Sequence, residues 1–316
     1  LILMSHGPSQ TSPSRPDWLK VKIPHGAKYL QLRQLLKEQN LVTVCQEALC
    51  PNIQECWDGG TATFMLMGDT CTRACRFCSV KTGNPMGVLD REEPQKIGYA
   101  ISQMKLSYVV LTSVDRDDLD DFGADHFATT IEMIKKNKPE MLVECLTPDF
   151  EAIPQLVQRV LDAKPDVFAH NIETVERLSP TVRDRRAKYR QSLETLALAK
   201  VFNPEQITKT SIMLGLGETK QEIKQSLLDL REVSCDVVTF GQYLAPTDQH
   251  KKYLPVVEYI HPDIFKSYQK MAEDLGFLYV ASGPLVRSSY KAGEYFIASV
   301  IKERQHKNSW LKKRLQ

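Results

Sequence analysis

The chain has 316 residues, 42% of them hydrophobic, and 41 Lys and Arg against 39 Asp and Glu for a formal charge of +2. That length supports one large core, and the near balance of charge removes the electrostatic ground for tight nucleic-acid binding. Six of the eight cysteines crowd between Cys45 and Cys78, which excludes a disulfide framework spread over a secreted fold and fits a reducing compartment.

The first 15 residues are expected to be disordered. The opening LILMSHGPSQTSPSRPDW has too short an apolar run for a signal peptide and lacks an Arg-rich presequence pattern. No apolar stretch approaches the roughly 20 residues of a membrane span, so the sequence predicts a cytoplasmic protein, or an organelle-matrix one in a eukaryote. KYLQLRQLLKEQN, with leucines at 30, 32, 35 and 36, predicts a short helix ahead of the first cysteine. Short apolar runs follow at TFMLMG, YVVLTSV, MLVECLT, DVFAHN, TSIMLGLGE and DVVTFGQYL, separated by helical patterns such as ADHFATTIEMIKKN and KQEIKQSLLDLREV. Continuous apolar strands alternating with amphipathic helices predict an α/β fold with a parallel sheet, either open or TIM-like. Six such units are too few for an eight-fold barrel. Most runs end in polar segments (GDTCTRAC, SVDRDD, HNIET, GLGET, GQYLAPT), and the carboxyl ends of parallel strands converge on one rim, so a single shared site is expected there.

Cys71, Cys75 and Cys78 form C-x3-C-x2-C directly after the first strand. A cubane iron-sulfur cluster takes four thiolates, so three leave one iron open to a small molecule. The alternative is zinc, which wants four N or S ligands, and no histidine lies between His25 and His126 to complete it. Upstream, Cys45, Cys50 and Cys56 form C-x4-C-x5-C, again without a fourth thiol, and a second, separate cluster is the economical reading. Cys145 and Cys235 fall in apolar surroundings and are read as core residues.

The first triad and Phe77 beside it resemble the radical S-adenosylmethionine superfamily. With the second triad, RSSY at 287–290, CPNIQECW, PDVFAHNIETV and GQYLAPT, the resemblance narrows to the lipoyl synthase family. It implies a partial (β/α)6 TIM-like barrel at 63–260, an N-terminal extension at 16–62 and a C-terminal extension at 261–316, the extensions covering the cluster site. It also implies two 4Fe-4S clusters, one on Cys71, Cys75 and Cys78, the other on Cys45, Cys50, Cys56 and Ser289. Thr112, Ser113, Asn171, Glu173, Gln242 and Leu244 stand where superfamily members hold S-adenosylmethionine, with internal bracing as the competing role. The implied reaction inserts two sulfur atoms at C6 and C8 of a protein-bound octanoyl-lysine, the sulfur coming from the auxiliary cluster. A radical takes hydrogen from unactivated carbon, so no acid or base is assigned and His170 is read as a packing residue. The implied partners are octanoylated lipoyl carrier domains (2-oxoacid dehydrogenase E2 subunits, glycine cleavage H protein), a ferredoxin or flavodoxin electron donor and a cluster-repair protein, with no nucleic acid or membrane. A methylthiotransferase-like enzyme or a non-enzymatic metal scaffold is the alternative. Phe122, Ser211 and Lys291 depart from the family pattern, and the basic tail KERQHKNSWLKKRLQ reads as a solvated helix end.

Overall fold

The computed structural model describes residues 14, 16–19, 42–43, 61–104, 106–246, 252–288 and 299–301. Cys45, Cys50, Cys56, Ser289, Lys291, the helix expected at 28–40 and the basic tail lie outside these described residues.

Parallel strands Thr61–Leu66 (β1), Tyr108–Ser113 (β2), Leu142–Leu146 (β3), Val167–Ala169 (β4), Ile207–Leu214 (β5), Val237–Gln242 (β6) and Tyr279–Gly283 (β7) run side by side in chain order. Helices Glu93–Gln103 (α1), Ala124–Asn137 (α2), Pro154–Asp162 (α3), Tyr189–Phe202 (α4), Lys220–Glu232 (α5) and Pro262–Asp274 (α6) connect them. Sequential order without reversal is the topology of a barrel wall rather than a doubly wound sheet. Among the described residues β1 and β7 are not paired, so the barrel is partial. On its outer edge β1 meets the two-residue strand Val42–Thr43 antiparallel, Thr43 opposite Phe64.

The six predicted strands are present, and β7 is a seventh that a count of six units omits. Its sequence YVASG is short, and among the described residues it pairs with β6 alone, so it has no need of a continuous apolar run. Proline in the first turn starts α1, α3 and α6. A capping box between Thr219 and Glu222 starts α5.

Side chains alternate across the wall. Phe64, Leu111, Val143 and Phe168 face outward onto a core with Ile97, Phe127, Ile131 and Val157. Ile212, Leu214, Val238 and Phe240 do the same onto a separate core with Leu196, Ile223, Leu227 and Phe265. A third cluster joins Tyr108, Leu142, Val167, Ile207 and Val237, the first residues of their strands, with Ile301. The buried Lys209 Nζ donates to both oxygens of the buried Glu144 at 2.7 and 2.8 Å, and Tyr108 Oη donates to Glu144 Oε2 at 2.7 Å. Cys145 and Cys235 are fully buried, as expected of core residues. Phe122 takes φ 52°, backbone that glycine adopts at no steric cost, while its ring packs on the core.

Candidate active site

β1 hands the chain to the thiol loop through Met67 (φ 67°) and Gly68 (φ 90°). The carboxylate of the buried Glu93 accepts the Met67 N–H at 2.8 Å and meets His126 Nε2 at 2.6 Å, fixing that turn. The short parallel pair Thr70–Cys71 and Lys81–Thr82 closes the loop at its base. Cys71 Sγ accepts the N–H of Arg73 at 3.4 Å and of Asp115 at 3.3 Å, and Cys75 Sγ accepts the Asp184 N–H at 3.3 Å. Cys78 N–H donates to the Cys75 carbonyl at 3.2 Å. All three cysteines are free thiols. Burial pushes each thiol up, Cys75 to about 12 against the opposing Asp184 hydrogen bond, and Cys71 and Cys78 likewise. Neutral thiols in so dry a place are poor nucleophiles on their own.

The loop opens on a small, partly open cleft of about 130 Å³ lined by Cys75 and by residues at the carboxyl ends of β2, β3 and β4. Thr112, Ser113, Asn171 and Glu173 line it. Ser113 Oγ is buried with no hydrogen-bond partner among the described residues. Asn171 Nδ2 donates to Glu173 Oε1 at 3.1 Å. Glu173 sits at φ 65°, pinned by its N–H to the Ser211 carbonyl at 3.1 Å and by its carbonyl accepting from Met213 N at 2.8 Å. Burial pushes its carboxyl up, opposed by Arg183. Gln242 and Leu244 are not among the lining residues. Gln242 Nε2 donates to the carbonyls of Leu214, Tyr243 and Glu258 at 3.0 to 3.1 Å, and its Oε1 accepts Ile260 N at 2.8 Å. That amide is consumed in tying the 258–260 segment to the strand ends. Glu218 likewise accepts the N–H groups of Gly215 and Leu216 in its own loop. His170 is the packing residue expected: Nδ1 pairs with the Thr147 carbonyl at 2.9 Å and Nε2 with Ser192 Oγ at 2.8 Å.

An ionic network that the motifs do not announce surrounds the thiols. The guanidinium of Arg73, between Cys71 and Cys75 in sequence, is buried. It donates to Asp149 through Nη1 at 2.7 Å and Nη2 at 2.9 Å, and to Asp117 through Nε at 3.1 Å and Nη2 at 2.9 Å. Asp115 Oδ1 lies 3.4 Å from Nη1. Arg186 reaches Asp184 at 2.9 Å and Asp117 at 3.1 Å. Burial pushes Asp115 up to about 6, with Arg73 opposing. At Asp149 burial also pushes upward, but the Arg73 hydrogen bonds outweigh it and hold the carboxyl below its ordinary value. Arg116 is turned away from Asp115 and forks onto Asp118 at 2.8 and 2.9 Å, so it braces the loop. The signal available in sequence is an arginine inside the cysteine motif and aspartates at two strand ends, DRDD and TPDF. Asp149 begins a turn in which Phe150, Glu151 and Ala152 take φ 47°, 51° and 54°, left-handed backbone that costs a non-glycine residue roughly 1–2 kcal/mol.

Two family models match the chain: the radical SAM superfamily over residues 65–230, and the N-terminal domain of lipoyl synthase of the radical SAM family over 7–50. The chain is 59% identical over 294 residues to the mitochondrial lipoyl synthase of Schizosaccharomyces pombe, covering 92% of this chain and 79% of that one. The chain belongs to the lipoyl synthase family. It is also 54% identical to the apicoplast lipoyl synthase of Toxoplasma gondii over 94% of its own length, and spans 56% of that longer relative. The solved structure of HydG, a maturase of the FeFe-hydrogenase, shares the fold with TM-score 0.53 and 12% identity, over 77% of this chain and 64% of that one.

Lipoyl synthase family membership implies S-adenosylmethionine and 4Fe-4S chemistry. The cleft suits both. Its thiols are unpaired and two of them take backbone N–H donors, the kind of hydrogen bond that tunes cluster sulfur ligands, and an iron centre reverses the cost of ionising a buried thiol. Ser113, whose buried hydroxyl has no partner among the described residues, is one of the residues lining the same space. Among the described residues no three His, Cys, Asp or Glu side chains, the three thiols included, gather round the position of a single ion.

Proposed function

We propose that this chain is a sulfur-inserting lipoyl synthase that converts a protein-bound octanoyl-lysine to the lipoyl group. The observation that carries the reading is the C-x3-C-x2-C loop opening on a cleft at the carboxyl ends of β2, β3 and β4 in a chain of this family. In this reading Cys71, Cys75 and Cys78 hold one 4Fe-4S cluster, and Cys45, Cys50, Cys56 and Ser289 hold a second. Bound there, the clusters and S-adenosylmethionine supply radical hydrogen abstraction and sulfide. Ser113 Oγ, unpartnered among the described residues, donates a hydrogen bond to the bound S-adenosylmethionine, with Thr112 beside it. Asn171 and Glu173 offer an amide and a carboxylate for its hydroxyl and amino groups. Ser288, next to Ser289, supports a second cluster near the same rim: the 284–288 segment passes so close over the end of β6 that a Cβ on Gly241 would lie 2.2 Å from the Val286 carbonyl oxygen.

The acyl chain arrives on a lipoyl carrier domain, an E2 subunit or a glycine cleavage H protein. A ferredoxin or flavodoxin supplies electrons, and a repair protein restores the spent cluster. We infer an organelle matrix as the compartment, since both relatives carry organellar names; no helix among the described residues is long and apolar enough to cross a membrane. The test is anaerobic reconstitution followed by incubation with reductant, S-adenosylmethionine and an octanoyl-lysine peptide, read by mass spectrometry. A product carrying two added sulfurs is expected. Cofactor cleavage with the peptide unchanged would remove the lipoyl assignment and leave the superfamily one.

A further inference from the structure

The three consecutive left-handed residues after β3 contain no glycine, and the surroundings hold them in place. Phe150 is fully buried, edge-on to Phe127 with ring centroids 6.4 Å apart. The Asp149 carbonyl accepts from Thr195 Oγ1 at 2.9 Å and from Ala152 N at 2.8 Å. The exposed Glu151 turns its N–H back onto Asp149 Oδ1 at 3.1 Å. Both Asp149 oxygens are thereby aimed at the Arg73 fork. Backbone held in a sparsely populated region beside a site is a device to be explained by what it positions, and here it positions one carboxylate against the only cation inside the cysteine loop's first half.

We propose that the left-handed turn Phe150–Ala152 holds Asp149 against Arg73, where together with Asp117 and Asp115 it offsets the guanidinium charge beside the cluster and keeps the cluster's reduction potential low. The inference rests on the reading of Cys71, Cys75 and Cys78 as cluster ligands. Reduction adds one electron to the cluster, and each carboxylate charge lost from around Arg73 leaves the surroundings more positive and stabilises that added electron. Asp149 and the turn are positioning and charge-setting elements; they act through Arg73.

The test compares reconstituted full-length wild type, Asp149→Asn, Glu151→Pro and Glu151→Gly. Each is poised electrochemically with dithionite as the one-electron donor, and the reading is the paramagnetic signal of the reduced cluster that changes when S-adenosylmethionine is added. Glu151→Pro and Glu151→Gly both delete the same surface carboxylate, but proline locks φ near −65° and glycine accepts the left-handed value. The difference between them therefore reports the turn together with the Glu151 N–H bond to Asp149 Oδ1, which proline also removes. Asp149→Asn and Glu151→Pro are expected to favour the reduced cluster at least tenfold, about 59 mV for a one-electron couple, with iron content retained. Glu151→Gly is expected to stay within twofold of wild type. Should Glu151→Pro fail to fold, Glu151→Val disfavours the left-handed region while keeping the N–H and is expected to shift the equilibrium at least twofold the same way. Wild-type potential in Asp149→Asn, or equal potentials in the proline (or valine) and glycine variants, overturns the inference and leaves the cluster reading standing. A wild-type protein with no signal that responds to S-adenosylmethionine overturns both.

Discussion

Lys209→Met tests how the interior of the barrel is held. Lys209 and Glu144 are both essentially inaccessible, with side-chain exposures of 3% and 1%, and their heads meet at 2.7 Å. Removing the lysine strands a carboxylate whose one remaining side-chain donor among the described residues is Tyr108 Oη. Breaking a buried pair by deleting one partner costs about 3–5 kcal/mol, whereas replacing both by apolar groups of similar volume is close to neutral. The strands concerned, β3 and β5, lie on either side of β4, so relaxation toward water requires opening the wall. Urea unfolding of wild type, Lys209→Met, Glu144→Leu and the double variant completes the cycle. The expected coupling between the two sites is about 2 kcal/mol or more, and the double variant should recover most of the loss in Lys209→Met. A loss below about 1 kcal/mol in the single variant, in the range of surface pairs, or a double variant as unstable as the single one, refutes the reasoning.

Three further outcomes are expected. His170 is driven down from 6.5 to about 4, by burial first and then Arg183, so the unfolded chain binds its proton before the folded one does. Stability therefore falls as pH drops through 6.5 and goes on falling to about 4, by on the order of 3 kcal/mol in all; His170→Asn should flatten that part of the pH profile of the urea midpoint, and an unchanged slope contradicts it. Gly241→Ala puts a methyl 2.2 Å from the Val286 carbonyl oxygen and should cost about 1–3 kcal/mol as the 284–288 segment is pushed off the strand end, which a wild-type urea midpoint would disprove. Cys45→Ala should leave reductive cleavage of S-adenosylmethionine intact and abolish sulfur insertion by mass spectrometry; a lipoyl product from that variant points to another sulfur source.

The strands of the barrel wall were legible because each inner strand is covered on both faces and so reads as an unbroken apolar run. β7 was not, since YVASG serves with a single neighbour. The thiol loop was legible from spacing alone, because three cysteines within eight residues cannot be scattered. Arg73 was not, because its meaning lies in Asp117 and Asp149, 44 and 76 positions away, and no local pattern carries a contact of that range. Gln242 shows the limit most plainly. A polar residue at a strand end looks the same in sequence whether it faces a ligand or satisfies three backbone carbonyls. The turn at 150–152 left no trace either, since the usual marker of left-handed backbone is a glycine and PDFEA has none.

The outward packing splits into one core around β1 to β4 and another around β5 and β6, yet the open wall does not separate them. The cluster at the strand starts runs from Tyr108 on β2 to Val237 on β6, Lys209 and Glu144 bridge β5 and β3, and α4 gives Ala199 to one core and Leu193 and Leu196 to the other. Amide exchange should therefore register both halves as a single protection class that opens together.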